Sequence, residues 1–126
     1  MTDHPRDFIV AVVDDDQRIL ESVELLLQSA NYAVRLFPSA AALLASGCLS
    51  EIDCLISDID MPVMNGFELL RAVHAERPSL SVILITGHPE MLDGLPGSDA
   101  GHYRLFKKPF NGTELLAAVN SVLHNP

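Results

Sequence analysis

Basic residues and cysteines are scarce in this chain, and their scarcity excludes several classes of protein. Only two lysines occur among 126 residues, and the 8 lysines and arginines face 17 acids, which gives a formal net charge of −9. Because contacts to nucleic-acid phosphates need clustered basic side chains, this charge argues against a nucleic-acid partner for this domain. The two cysteines, Cys48 and Cys54, are too few for a disulfide framework and lack the spacing of a metal site. We expect both to be reduced, small apolar side chains.

Long apolar runs and targeting signals are missing as well. No stretch reaches the length of a membrane span, and the first residues, MTDHPRDF, lack the basic-then-apolar pattern of a signal peptide. We therefore expect a cytoplasmic protein with no membrane partner. With 48% apolar residues the chain is long enough to bury a core, and we expect residues 1–126 to form a single domain.

Short apolar runs alternate with helical patterns along the chain. Runs that are apolar on both faces are typical of central parallel strands, whereas a weaker run suits an edge. Four runs predict central strands and a fifth predicts an edge strand: Phe8–Val13, Ile52–Ser57, Leu80–Ile85 and Tyr103–Phe106, with Ala33–Leu36 at the edge. The strand–helix order repeats about five times, which predicts an α/β fold with an open, doubly wound parallel sheet and helices on both faces.

Capping residues mark where several of the helices begin and end. Ser39 can cap the alanine-rich stretch that follows it, and Gly47 can end that helix. Two Asn/Glu pairs three residues apart have the spacing of a capping box: Asn65 with Glu68, and Asn111 with Glu114.

One stretch does not fit the alternation. Residues 89–101 read PEMLDGLPGSDAG at the place where the fourth helix of the pattern belongs. Inside a helix a proline costs about 3 kcal/mol and a glycine about 1 kcal/mol. The stretch therefore predicts an irregular or shortened fourth helix.

Polar residues follow four of the predicted strands. Ligands of doubly wound sheets bind at the carboxyl ends of the strands, so these residues should share one edge of the sheet. They are Asp14, Asp15 and Asp16 after the first strand, Asp58 and Asp60 after the third, Thr86, Gly87 and His88 after the fourth, and Lys107, Lys108 and Pro109 after the fifth.

Each of these residues also has a simpler explanation when taken alone. Asp15 or Asp16 can cap the next helix, and Asp58 and Asp60 can form the turn before Pro62. Together they favour a site, because several carboxylates at one edge repel each other and a cation relieves that repulsion. Oxygen ligands in small number suit Mg²⁺ better than Ca²⁺. A hydroxyl and an ammonium group suit a phosphoryl group, and an aspartate can itself attack phosphorus.

Four segments together resemble the receiver domain of two-component response regulators. They are VVDDD at residues 12–16, LISDIDMPVMNG at 55–66, ITGH at 85–88 and KKPF at 107–110. The resemblance covers nearly the whole chain. The ITGH segment in particular resembles the subfamily that includes nitrogen-fixation regulators. It implies a flavodoxin-like sheet of five strands in the order 2-1-3-4-5.

The resemblance assigns a metal role to four aspartates. It implies Mg²⁺ bound directly by Asp15 and Asp58, with Asp14 acting mainly through water and Asp60 through its backbone carbonyl. The side chain of Asp60 is then the less essential one. We expect Asp58→Ala to abolish phosphorylation and Asp60→Asn to leave it largely intact.

The resemblance also assigns the phosphoryl chemistry. Asp58 matches the aspartate that accepts a phosphoryl group from a sensor histidine kinase or a phosphotransfer protein. Thr86 and Lys108 match the hydroxyl and the lysine that bind the phosphoryl group. The bond before Pro109 is expected to be cis. Such a domain is a signalling phosphoacceptor, not an enzyme, with self-catalysed transfer and slow loss of its own phosphoryl group.

Two departures from the family pattern concern signal output. Receivers usually carry Tyr or Phe three residues before the site lysine, where this chain has Leu105, and Tyr103 is two residues away. The irregular segment 89–101 lies on the same predicted face, between strands 4 and 5. His88 lies near the site and could act on the attacking water, although an exposed loop histidine explains it more simply.

Two other functions remain open at this point. The spacing of Asp58 and Asp60 resembles the nucleophile motif of aspartate-dependent phosphatases, but those proteins usually place it after the first strand. A receiver-like interaction module that is never phosphorylated is the other alternative, and the complete set of acids, threonine and lysine argues against it. The sequence names no output domain or output partner.

Overall fold

Five parallel strands form one sheet in the order β2-β1-β3-β4-β5. The fold is known from a computed structural model, which describes residues 8–88 and 103–124. The strands are β1 (Ile9–Val13), β2 (Ala33–Phe37), β3 (Cys54–Asp58), β4 (Ser81–Thr86) and β5 (Arg104–Lys107). The helices of the described residues are α1 (Gln17–Ser29), α2 (Ala40–Ser46), α3 (Gly66–Glu76) and α4 (Gly112–His124), with a short 3-10 helix at Cys48–Ser50. The predicted doubly wound sheet and its strand order are confirmed.

The later strands end farther along the chain than the apolar pattern indicated. The sequence placed Asp58 and Thr86 after their strands, and the structure makes each the last residue of its strand. The reason is the register, because Asp58 pairs with Ile85 and Thr86 pairs with Lys107. Backbone pairing therefore continues through the first polar residue of each strand.

The last strand occupies a different place from the one its composition suggested. Its apolar run predicted a central strand, but β5 pairs only with β4 among the described strands and lies at an edge of the sheet. Leu105 is 42% exposed, and Arg104 and Lys107 are exposed as well. The prediction of β2 as an edge strand is correct.

Local capping signals formed as predicted. The Ser39 hydroxyl accepts the N–H of Ala42, and Gly47 ends α2 with a left-handed backbone at φ 75°. Asn65 and Glu68 form a reciprocal capping box at the start of α3. Before α4, the N–H of Glu114 donates to Asn111 Oδ1, which is the first half of the second predicted box.

The core consists of two layers, one on each face of the sheet. Alternate residues of β1 and β3 point to opposite faces, as the two-residue period of a strand requires. Helices α2 and α3 cover the face that carries Val13 and Leu55, and α1 and α4 cover the face that carries Val12 and Ile56. Residues 10–13 of β1 and 54–57 of β3 are almost completely removed from solvent, so the ends of these strands are held rigidly.

Gly66 allows α3 to begin directly against the end of β3. A Cβ at this position would lie 2.7 Å from the carbonyl oxygen of Asp58 and 2.8 Å from Cα of Ile59. Both neighbours are backbone atoms and cannot rotate away. The glycine is therefore required for the turn that follows Asp58.

Several other expectations can be placed. Both cysteines are free and buried, as predicted. The irregular fourth helix was predicted at residues 89–101, which lie outside the described residues. Within the part of the chain that the structure describes, no helix is long and apolar enough to cross a membrane.

Candidate functional site

The predicted site residues lie together at the carboxyl end of the sheet, where β1, β3, β4 and β5 end. Val13 pairs with Ser57 across β1 and β3, so Asp14 and Asp58 follow side by side. The N–H of Lys108 donates to the carbonyl oxygen of Thr86 at 2.7 Å, which places the lysine beside the end of β4. Asp14, Asp58 and Thr86 are buried, although all three carry polar side chains.

Lys108 connects two of the buried aspartates. Its Nζ lies 3.4 Å from Asp14 Oδ2 and 3.4 Å from Asp58 Oδ1. The second Asp14 oxygen, Oδ1, accepts the N–H of Asp16 at 2.8 Å. Asp14 is therefore held at both oxygens, and Lys108 is shared between two carboxylates.

Asp58 retains an oxygen that can take a further partner. Asp58 Oδ1 is buried and accepts no hydrogen bond, which is true of no other buried side-chain nitrogen or oxygen in the described residues. The 3.4 Å to Lys108 Nζ is an ion-pair distance and longer than a normal charged hydrogen bond. A buried carboxylate oxygen without a hydrogen bond is costly, so this atom is suited to a metal ion or to bond formation.

Three carboxylates are close enough to bind one cation. One oxygen from each of Asp14, Asp15 and Asp58 lies within 4.8 Å of the others. Asp15 is exposed, whereas the other two are buried, so solvent reaches the cluster from one side. Carboxylates with room for water suit the octahedral, partly hydrated coordination of Mg²⁺. The residues present therefore fit this ion.

Burial and like charge shift the titration of these groups. Burial, opposed by the N–H of Asp16 and reinforced by the charge of Asp58, raises the pKa of Asp14 to about 6. Burial also raises the pKa of Asp58, and Lys108 offsets part of that effect. Burial by itself lowers the pKa of Lys108, but the charges of Asp14 and Asp58 outweigh it and the pKa is raised. The two carboxylates thus repel each other, and Lys108 stays charged.

Asp16 and Asp60 lie outside this cluster for different reasons. The Asp16 side chain caps α1 by accepting the N–H of Arg18 at 2.9 Å, as the simpler explanation expected. The Asp60 side chain turns toward β4, where its Oδ2 accepts the hydroxyl of Thr86 at 2.9 Å and the N–H of Gly87 at 3.1 Å. The role expected for the Asp60 carbonyl stays a prediction.

Sequence reasoning missed the contact between Asp60 and Thr86. It treated the Asp60 side chain as the less essential part of that residue, whereas the structure gives the carboxylate two donors. The partners are 26 and 27 residues away, and a spacing signal does not extend that far. Only the pairing of β3 with β4 brings them together.

Comparison with known proteins decides the family. The sequence pattern described as the response regulator receiver domain matches residues 10–120. This chain belongs to the response regulator receiver family. The family predicted from the motifs, with its resemblance to nitrogen-fixation regulators, is confirmed.

Relatives of this receiver are similar in sequence and in structure. The transcriptional regulatory protein FixJ of Azorhizobium caulinodans is 34% identical over 119 residues, which are 94% of this chain and 56% of FixJ. The chain spans about half the length of the curated relatives that it matches first. A CheY-like receiver of Methanospirillum hungatei superposes with a TM-score of 0.84 at 29% identity, over 94% of each chain. The BeF3-activated receiver domain of DrrB, a Thermotoga maritima protein, has a TM-score of 0.85 at 32% identity, over 94% of this chain and 99% of that one.

Family membership fixes the general character of the site. Receivers take up phosphoryl groups and bind Mg²⁺ at an aspartate cluster, and this receiver has such a cluster at Asp14, Asp15 and Asp58. The bond between Lys108 and Pro109 is cis, as predicted.

In the structure, Tyr103 does not take the place of the aromatic ring that Leu105 replaces in the family pattern. Tyr103 packs edge-on against Phe67 of α3 with ring centroids 5.7 Å apart. Thr86 pairs with Lys107, four residues farther along, which is about 13 Å of strand. The ring of Tyr103 therefore belongs to the core layer and not to the surroundings of Thr86.

His88 lies at the mouth of the site. The residue is exposed, and its backbone N–H donates to the hydroxyl oxygen of Thr86 at 2.9 Å. The backbone of His88 therefore helps to orient Thr86. The suggested action of its side chain on water stays a prediction.

Proposed function

We propose that this receiver takes a phosphoryl group onto Asp58 from a phosphohistidine of a sensor kinase or a phosphotransfer protein. An oxygen of Asp58 bonds to phosphorus while the bond from phosphorus to the imidazole nitrogen breaks, so the products are an aspartyl phosphate and a free histidine. The observation that supports this most directly is Asp58 Oδ1, which is buried, accepts no hydrogen bond and lies 3.4 Å from Lys108 Nζ.

The residues around Asp58 supply the electrostatic part of the reaction. A phosphoryl group adds a charge of about −1.5 to −2. Lys108 carries a positive charge at this point and offers its ammonium protons to the new oxygens. Asp15 and Asp58, with Asp14 close by and the backbone of Asp60, would hold Mg²⁺, and the ion supplies further neutralisation of charge on the transferring group.

The phosphoryl donor must approach Asp58 from the carboxyl ends of the strands, because Asp58 is only 3% exposed. A surface groove lies beside Lys108, and its lining includes Ile19, Pro109 and Phe110. These apolar side chains offer a contact surface for a donor protein next to the reacting group. A protein carrying phosphohistidine is the partner that this arrangement supports.

The same chemistry gives a route to signal output. The phosphoryl group attracts the hydroxyl of Thr86, the last residue of β4, and thereby shifts an existing equilibrium of the β4–β5 face. Leu105 is exposed on this face, at the position where receivers usually carry an aromatic residue. Each molecule takes up one phosphoryl group and loses it slowly, so the domain acts as a signalling acceptor and not as an enzyme with turnover.

Labelling with a small phosphodonor tests the proposal. Incubation with acetyl phosphate and Mg²⁺ should add one phosphoryl group to the wild type by intact mass, and chelation of Mg²⁺ should prevent it. Asp58→Asn should remain unlabelled, because its amide is not a nucleophile toward phosphorus. Asp16→Asn is the matched control, since it removes a carboxylate from the same edge while asparagine still caps α1.

The outcomes separate the proposal from its rivals. Retained labelling of Asp58→Asn would contradict the assignment of the acceptor. Steady release of phosphate from a phosphomonoester would favour an aspartate-dependent phosphatase. Absence of both labelling and Mg²⁺ binding would favour an interaction module that is never phosphorylated.

A further inference from the structure

The Asp60 carboxylate accepts hydrogen bonds from two donors beside Asp58, and one of them is the Thr86 hydroxyl proposed to bind the phosphoryl group. Its Oδ2 accepts the hydroxyl proton of Thr86 at 2.9 Å and the N–H of Gly87 at 3.1 Å. Both donors lie at the end of β4, beside the end of β3 that carries Asp58. In the unphosphorylated protein these donors are therefore directed to a carboxylate two residues beyond the acceptor.

The hydroxyl of Thr86 has a single proton to give. The residue is fully buried, and its oxygen also accepts the backbone N–H of His88 at 2.9 Å. Because the His88 N–H can only donate and the Asp60 carboxylate can only accept, the hydroxyl proton is directed to Asp60. It cannot be donated to Asp60 and to a phosphoryl oxygen at the same time.

Charge strengthens this competition. A hydrogen bond to an ionised carboxylate is about twice as strong as one to a neutral acceptor. Asp60 lies two residues beyond Asp58 and its carboxylate contacts Thr86 beside the site, so its negative charge opposes further negative charge on Asp58. A phosphoryl group on Asp58 carries more charge than the carboxylate it replaces and is repelled more strongly.

We propose that the Asp60 carboxylate is a positioning residue that holds the Thr86 hydroxyl and the Gly87 amide in their unphosphorylated arrangement and competes with the phosphoryl group for them. The proposal rests on the proposed function of Asp58 as the phosphoryl acceptor. Its consequence is that the Asp60 side chain restrains activation, although Asp60 takes no part in bond formation.

Binding of trifluoroberyllate with Mg²⁺ measures this competition at equilibrium. The probe attaches to an aspartate oxygen as a phosphoryl mimic and requires no turnover. Asp60→Asn keeps an acceptor oxygen without the charge, and we expect it to bind the probe about fivefold more tightly than the wild type. Asp60→Ala removes the acceptor as well and should bind at least as tightly as Asp60→Asn.

A double-mutant cycle assigns the effect to the threonine. Thr86→Val removes the hydroxyl at nearly constant shape. In that background, Asp60→Ala should gain less affinity for the probe than it gains in the presence of Thr86, because one of the two contested donors is gone. Equal gains in both backgrounds would place the effect elsewhere and overturn the role of Thr86.

Two further measurements distinguish competition from a purely structural role. In the absence of Mg²⁺ and of any phosphodonor, Asp60→Ala should move the Gly87 amide proton upfield in the NMR spectrum, because that proton loses a carboxylate acceptor. Thermal stability should fall while affinity for the probe rises. A structural role would lower both together. Glu21→Gln on α1 is the control for loss of a negative charge and should change neither.

The outcomes for this inference and for the proposed function are separate. A wild type that binds the probe while both Asp60 variants bind it equally well or more weakly overturns the inference alone. An unmoved Gly87 amide in Asp60→Ala overturns it as well. A wild type that neither binds the probe nor accepts a phosphoryl group overturns the proposed function, and the inference with it.

Discussion

The two ends of the central sheet treat their polar groups in opposite ways. At the amino ends of the strands, Arg77 donates from Nη1 to the carbonyl oxygens of Leu49 and Ile52, and Asp53 accepts the N–H of Ile9 at 2.8 Å. At the carboxyl ends, Asp58 Oδ1 is buried without a hydrogen bond.

The difference shows where this fold accepts an energetic cost. At the amino end, the charged side chains of Arg77 and Asp53 are paired with backbone groups of neighbouring segments. The carboxyl end collects carboxylates that repel each other, and Lys108 and backbone N–H groups compensate this repulsion only in part. The repulsion between carboxylates lies where a bound cation would relieve it, and the opposite end stabilises the scaffold. Three variants test this contrast.

The largest expected effect is a loss of stability when the Arg77 hydrogen bonds at the amino end of the sheet are removed. Arg77→Met keeps the aliphatic part of the side chain and leaves two carbonyl oxygens without their donor. We expect the free energy of unfolding to fall by about 2–3 kcal/mol in urea denaturation, because hydrogen bonds to charged groups are the stronger ones. Labelling of Asp58 at low temperature should persist. Arg71→Met, at an exposed position of α3, which ends just before Arg77, is the control and should cost less than about 0.5 kcal/mol.

A smaller loss of stability, but a direct effect on the site, is expected at the carboxyl end. In Gly66→Ala the new methyl group meets the backbone at Asp58 and Ile59 at 2.7 and 2.8 Å. We expect a loss of about 1–3 kcal/mol and slower labelling of Asp58, since the chain must shift where the acceptor is held. The labelling rate should be measured under conditions where the variant is folded.

Gly112→Ala is the matched control for this variant, because Gly112 is also the first residue of a helix. Its new methyl group would meet only the side chain of Leu26, at 3.5 Å and beyond. It should leave labelling unchanged and alter stability by less than about 1 kcal/mol. Equal effects of the two glycine variants would refute the requirement for close backbone approach at Gly66.

The smallest effect concerns pH. The pKa of Asp14 is about 6 in the folded state, compared with its ordinary value of 3.8 in the unfolded chain. Protonation of this carboxyl group therefore favours the folded state. This stabilisation is complete below about pH 3.8 and is lost as the pH rises through about 6. Without Mg²⁺, Asp14→Asn should exceed the wild type in stability by about 1 kcal/mol at pH 7.5, after allowance for solvent screening, and by less at pH 5.

Urea denaturation at both pH values measures this difference. Glu76→Gln removes one charge at an exposed position of α3 and should show a smaller change between the two pH values. A stability gain of Asp14→Asn that does not depend on pH would contradict the raised pKa. Such a result would mean that the Asp14 carboxylate at the carboxyl end of the sheet is not destabilised by its surroundings.

Much of the fold could be predicted because its signals are local. The caps at Ser39 and Asn65 act within three residues, and the apolar strands are continuous in the sequence. Strand ends were less predictable, because the ladder continues through Asp58 and Thr86 once a neighbouring strand pairs with them. The position of β5 at an edge of the sheet could not be predicted from its composition, because the apolar residues of a strand do not show whether it pairs with one strand or with two.

The sequence by itself determined the alternation of strands and helices, the helix caps, and the set of acids, hydroxyl and amine at one edge of the sheet. Each depends on residues that are near each other in the chain or on a periodic pattern. Only the tertiary structure decided which partner each side chain takes: Lys108 between Asp14 and Asp58, Tyr103 on Phe67, and Asp60 on Thr86. These choices depend on register and side-chain direction across distant segments, and only the folded sheet brings those segments together.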